Sequence, residues 1–123
     1  MDVRGKKILI IDDDNRNTFA LNALLKAKGF LCGTAGSAEE GLKMLSEDAG
    51  FGLVLLDMMM PEMDGYEAIN VIRHQQRKNV PIISVTAQAM QGDEEKCLEA
   101  GADAYISKPV DVDKLLSLLD RYL

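Results

Sequence analysis

Apolar and polar positions along this chain follow two rhythms that trade places five times. Residues 7–11, KILII, make a continuous apolar run entered from lysines and closed by aspartates, the pattern of a strand buried on both faces. From Asn15 to Lys28 the apolar residues Phe19, Leu21, Leu24 and Leu25 recur at helical spacing, and Gly29 stands where a helix C-cap glycine belongs. The alternation repeats, with Phe30 to Thr34 reading as a strand, Ser37 to Ser46 as a helix and Gly52 to Leu56 (GLVLL) as a second buried strand. Ser37 with Glu40 fits a capping box. Beyond a loop, Tyr66 to Gln76 is helical, Pro81 to Val85 (PIISV) is a strand, Gln88 to Ala100 is a helix ending at Gly101, and Asp103 to Ile106 is a short strand. Asp111, as N-cap, opens a last amphipathic helix carrying Leu115, Leu116, Leu118 and Leu119.

Strands alternating with helices make parallel βαβ units with right-handed crossovers, hence an α/β fold in which helices cover both faces of one twisted sheet. Ligand sites of such sheets lie at the carboxyl ends of the strands, near the point where strand order reverses.

Composition narrows the class. A length of 123 residues and a 47% hydrophobic content suit one domain with one sizeable core, so residues 1–123 are expected to form a single unit with no linker or output domain. No apolar run approaches the roughly 18 residues of a membrane span, and the short run Ile8 to Ile11 after a basic amino end passes straight into aspartates, unlike an export signal. Cys32 and Cys97 are too few for a disulfide scaffold and read as reduced thiols in or near the core, which points to a cytoplasmic setting. A net charge of −6 without a basic stripe argues against direct nucleic acid binding.

The first strand ends in Asp12-Asp13-Asp14, the third in Asp57 and the fourth in Thr86, while the fifth leads into Lys108-Pro109. A lone aspartate at a strand-to-helix turn is more often a helix N-cap, and Asp14 fits that role best. Several carboxylates focused on one crevice repel one another unless a cation intervenes, and hard oxygen ligands suit Mg²⁺. A carboxylate nucleophile, Mg²⁺, a lysine and a hydroxyl are the parts that receive a phosphoryl group, because that chemistry is mostly positioning and charge stabilisation. Asp57, alone at the end of GLVLL, is the expected nucleophile, and the adjacent Asp12 and Asp13 are placed to share a metal.

The stretches ILIIDDD (8–14), LLDMMMPEMDGYE (55–67), PIISVTA (81–87) and AGADAYISKP (100–109) resemble, over nearly the whole chain, the receiver domain of two-component response regulators. That resemblance implies a flavodoxin-like (βα)5 fold, a doubly wound five-stranded parallel sheet in the order 2-1-3-4-5. It also implies Asp57 as phosphoacceptor, with Asp13, Asp57 and the backbone carbonyl of Met59 on Mg²⁺ (Mn²⁺ substituting) and Asp12 acting through water. Lys108 would contact the phosphoryl group, and Thr86 would swing toward it while Tyr105 takes up the vacated space. Met59 and Gln88 would influence phosphoryl lifetime, and a cis Lys108-Pro109 bond would aim the lysine. Pro61 and Gly65 fit a turn that shapes the loop after Asp57.

The function so implied is a phosphoacceptor switch of a two-component or phosphorelay system, not a turnover enzyme. Its partners would be a histidine kinase or histidine phosphotransfer protein and a downstream target on the face of the fourth helix, fifth strand and fifth helix, with the protein a monomer or weak dimer. The wording CLEAGADAYISKPVD is closest to receivers attached to hybrid sensor kinases, and a single-domain regulator is the alternative. His74, between Arg73 and Gln75, reads as a solvated surface residue. A phosphatase of the haloacid dehalogenase type would need a second aspartate where Met59 stands, and a nucleotide or flavin binder would need a glycine-rich loop where the first aspartates stand. A purely structural adaptor is the third rival, separated from the switch by phosphoryl labelling.

Overall fold

The computed structural model describes residues 7–48, 50–58, 65–75, 79–86, 93–108 and 110–123. Among these, five strands alternate with five helices: β1 (Lys7–Ile11), α1 (Asn15–Ala27), β2 (Leu31–Ala35), α2 (Ala38–Glu47), β3 (Phe51–Asp57), α3 (Gly65–Gln75), β4 (Ile82–Thr86), α4 (Asp93–Ala100), β5 (Ala104–Ser107) and α5 (Val112–Tyr122). All pairings are parallel and the order is β2-β1-β3-β4-β5, as expected. The order reverses between β1 and β3, so the predicted crevice opens at Asp12 and Asp57.

Successive strand residues point to opposite faces, and each face has its own core. Leu9, Ile11, Val54, Leu56 and Ile82 pack with residues of α2, α3 and α4. Ile8, Ile10, Leu53, Leu55, Ile83 and Val85 pack with Leu21 and Leu25 of α1 and Leu115 and Leu119 of α5. Continuous apolar runs are therefore what both faces require. At Gly41 an added Cβ would lie 2.4 Å from Ile11 Cδ1, so α2 crosses β1 closely enough to need glycine there.

Helix ends explain where the structure departs from the pattern. Gly29, at φ 94°, closes α1 with the Phe30 N–H on the Leu25 carbonyl and the Gly29 N–H on the Lys26 carbonyl, both at 3.0 Å. Phe30 is consumed by this cap, so β2 begins one residue later than expected. Gly101, at φ 121°, closes α4 in the same way, with the Ala102 N–H on Cys97 and its own on Leu98. At α2, Ser37 Oγ accepts the Glu40 N–H at 3.2 Å, but the Glu40 carboxylate reaches the N–H of Gly36 and not that of Ser37, so the capping box is displaced by one residue.

The α1 stripe is a correction. Thr18, Leu21 and Leu25 are its buried residues, spaced three and four apart, which turns Phe19 outward at 77% exposure. Thr18 can enter the core because its hydroxyl donates to the Asp14 carbonyl at 2.9 Å. Cys97 is buried and Cys32 half-buried, and His74 is exposed on α3. No helix among the described residues is long and apolar enough to cross a membrane.

Candidate phosphoryl-acceptor site

Each carboxylate is placed by a strand that has just run out. The Asp12 N–H still pairs with the Ala35 carbonyl of β2 at 3.0 Å, so this residue is held as an extension of β1. Asp14, two residues on, is the N-cap of α1 and accepts the Arg16 N–H at 3.0 Å, the structural role the sequence suggested for it. Asp57 is the last residue of β3, in register with Val85 of β4. Carboxylate oxygens of Asp12, Asp13 and Asp57 all lie within 4.8 Å of one another. Asp12 and Asp57 are only 3% and 4% exposed, and Asp13 is open to solvent. One exposed and two buried oxygen donors at this spacing fit a small hard cation with an open coordination side.

Lys108 approaches from β5. Its backbone N–H donates to the Thr86 carbonyl at 2.7 Å, which ties the start of the β5–α5 connection to the end of β4. Its Nζ lies 3.2 Å from Asp12 Oδ2 and 3.7 Å from Asp57 Oδ2, so one ammonium serves two carboxylates. Burial pushes the Asp12 carboxyl up, but the Asp14 N–H, the Asn17 amide and Lys108 together outweigh it and hold Asp12 below its ordinary value. Burial likewise pulls the Lys108 ammonium down, and Asp57 and Asp12 reverse this and hold it above its ordinary value. The pair is charged at neutral pH.

Thr86 is the last residue of β4, buried, and in register with Ser107. Tyr105 is half-buried, in register with Ser84 two residues before Thr86, and packs with the core on the α2–α3–α4 face. Thr86 and Tyr105 thus sit on adjacent strands and the same sheet face. Met59, Pro61, Gln88 and Pro109, and with it the Lys108-Pro109 bond, lie outside the described residues, as does the expected helical stretch 88–92.

Two contributors escaped the sequence reading. Asn17, in the first turn of α1, donates from Nδ2 to Asp12 Oδ2 at 2.6 Å. Its signal was available, because the third helical position after an N-cap points back toward the cap. Arg73, at the end of α3, joins three segments at the opposite edge of the sheet, and no local pattern announces that.

The chain is thus an α/β domain that gathers three carboxylates and a lysine at the switch point of a parallel sheet, the class of acidic strand-end sites. Within that class the particular family is plain: the sequence profile of the response regulator receiver domain matches residues 8–120, and the chain belongs to that family. It is 39% identical over 115 residues to the sensor histidine kinase RcsC of Salmonella typhi, covering 94% of this chain and 12% of that protein. The chain thus spans only a small part of that relative's length. Among solved structures it is similar to the receiver domain of sensor histidine kinase PA1611 from Pseudomonas aeruginosa PAO1, which has a magnesium ion coordinated in its active site cleft. The identity is 33% and the TM-score 0.86, over 96% of this chain and 97% of that one. It is also similar to a chain in the co-crystal structure of the Saccharomyces cerevisiae histidine phosphotransfer signalling protein Ypd1 with the receiver domain of Ssk1. There the identity is 25% and the TM-score 0.89, over 99% of this chain and 91% of that one. Receiver domains of this family serve two-component and phosphorelay signalling.

Proposed function

We propose that this chain is a reversible phosphoryl switch in which Asp57 is the acceptor. The observation that carries the reading is the shared ammonium: Lys108 Nζ faces both Asp12 and Asp57 across a cluster of three carboxylates at the sheet's switch point. A carboxylate oxygen of Asp57 attacks the phosphorus of a partner's phosphohistidine; the P–N bond breaks, and its electron pair leaves with the imidazole nitrogen. Asp12, Asp13 and Asp57 would hold Mg²⁺, which when bound supplies charge neutralisation for the incoming phosphoryl oxygens. Lys108 then turns from the carboxylates to the phosphoryl oxygens, and the Thr86 hydroxyl donates to them.

The readout follows from the register. Drawing Thr86 toward the end of β3 opens space on the face it shares with Tyr105, and the Tyr105 ring fills it, altering the surface of α4, β5 and α5 that a downstream target reads. The phosphoryl donor is a histidine kinase or a histidine phosphotransfer protein. Phe19, 77% exposed on the helix that follows the acidic turn, would offer a protein donor an apolar contact.

Incubation with acetyl phosphate and Mg²⁺ should add one phosphoryl mass to the protein and none to Asp57→Asn. Stoichiometric labelling also separates the switch from a phosphatase, which would release phosphate continuously. Equal labelling of the Asp57→Asn protein overturns the assignment.

A further inference from the structure

Asp12 Oδ2 is shared by two donors of different character. The Asn17 amide reaches it at 2.6 Å and the Lys108 ammonium at 3.2 Å, while Oδ1 accepts the Asp14 N–H at 2.9 Å. The two donors are anchored differently. Lys108 follows β5 and also faces Asp57, so a phosphoryl group on Asp57 draws the ammonium away from Asp12. Asn17 belongs to the first turn of α1, five residues from Asp12 and locked to the same strand end through the Asp14 cap. Being neutral, the amide is not pulled toward the new charge.

When the ammonium leaves, this carboxylate, 3% exposed, keeps the Asp14 N–H and the Asn17 amide as its protein donors, and these set the orientation in which it would face Mg²⁺. We infer that Asn17 is a positioning residue of the phosphoryl-transfer site: its amide keeps Asp12 in place when Lys108 leaves for the phosphoryl group on Asp57. The inference rests on Asp57 being the acceptor. A first-turn asparagine with no such role would direct its amide to solvent or to the free N–H and C=O groups of the helix end; here it makes a short bond to a buried carboxylate.

The test compares wild type with Asn17→Ala, each with and without Lys108→Ala, at saturating Mg²⁺ and acetyl phosphate. Asn17→Ala should slow labelling of Asp57 by about tenfold, the scale of one hydrogen bond to a charged group, with an unchanged far-ultraviolet circular dichroism spectrum. In the Lys108→Ala background, where Asn17 is the remaining donor to Asp12 Oδ2, the same change should slow labelling further, by more than about thirtyfold, the non-additivity expected of coupled neighbours. Direct observation comes from the Asn17 side-chain amide resonances of the wild-type protein. They should stay displaced from free-amide positions when Mg²⁺ and fluoroberyllate, a phosphoryl mimic, are added. A common slowing factor in both backgrounds, wild-type rates in Asn17→Ala, or amide resonances that move to free positions with fluoroberyllate would each overturn the inference. If Asn17→Ala does not fold, the resonances of the wild type decide alone. A wild-type protein that takes no label removes the acceptor reading itself, an outcome distinct from normal labelling without an Asn17 effect.

Discussion

Arg73 is the side chain whose removal should test the packing argument most sharply. Its Nε donates to the Gly101 carbonyl at 2.9 Å, Nη1 to the Val80 carbonyl at 2.6 Å and Nη2 to Asp103 Oδ2 at 2.8 Å. Asp103 Oδ2 also accepts the Ile82 N–H at 2.8 Å, so one guanidinium closes α3, the entry to β4 and the turn into β5 together. Hydrogen bonds from a charged donor contribute roughly 1.5–3 kcal/mol each. Arg73 is 16% exposed, but Asp103 is 38% exposed, and both carbonyl bonds are only part-buried, so the sum is well below three full bonds. We expect Arg73→Ala to cost about 3 kcal/mol, and Arg73→Lys about 2 kcal/mol, because an ammonium keeps the charge and loses the fork. Urea unfolding followed by circular dichroism measures both, with an unchanged m-value as the sign that only stability moved. A loss below about 1 kcal/mol for Arg73→Ala, or a lysine variant equal to wild type, would mean that the guanidinium fork does not hold these segments together. The clamp lies at the amino edge of the sheet, opposite the carboxylates. Labelling of Asp57 in the folded variant should therefore stay within about twofold of wild type.

Phe19→Ala should leave labelling by acetyl phosphate unchanged while slowing transfer from a phosphohistidine protein, measured as loss of label from that donor; equal slowing with both donors would remove Phe19 from the docking surface. Mg²⁺ should stabilise the chain against heat, by about 2.7 kcal/mol at a hundred times its dissociation constant, and chelation should reverse this. The Asp12 carboxyl is held below its ordinary 3.8, so its contribution is complete above about pH 4 and is lost as pH falls through the depressed value. A Mg²⁺ effect that vanishes already above pH 5 would contradict that sign.

What could be read ahead of the structure is what local chemistry controls. Strands buried on both faces must be apolar throughout, so KILII and GLVLL were visible as runs, and their ends were visible because the next residue had to be polar. That alone put Asp12, Asp57 and Thr86 on one edge. Phe19 was misplaced because an apolar count cannot choose which of two adjacent helical stripes faces in, and Thr18 wins by satisfying its hydroxyl on the Asp14 carbonyl. Phe30 was assigned to a strand by its apolarity, whereas the glycine before it had already committed it to a helix cap. Arg73 stands in the last turn of α3; its partners lie up to 30 residues away and meet it only because β4 and β5 are neighbours.

The charge arrangement at the carboxylate edge of the sheet supports the switch proposed for it. Three carboxylates face one ammonium among the described residues, and that ammonium sits between two of them at 3.2 and 3.7 Å. Neither contact is bidentate, so Lys108 is committed to neither partner. Under the proposed switch, an added charge at the end of β3 would redirect it while Asn17 holds the carboxylate it leaves. Its backbone N–H is bonded to the Thr86 carbonyl, and Thr86 in turn lies on the sheet face of Tyr105. A change at Asp57 therefore has a short covalent and hydrogen-bonded route into β4 and β5. α1, which carries Phe19, packs on the opposite sheet face from α4 and on the same face as α5.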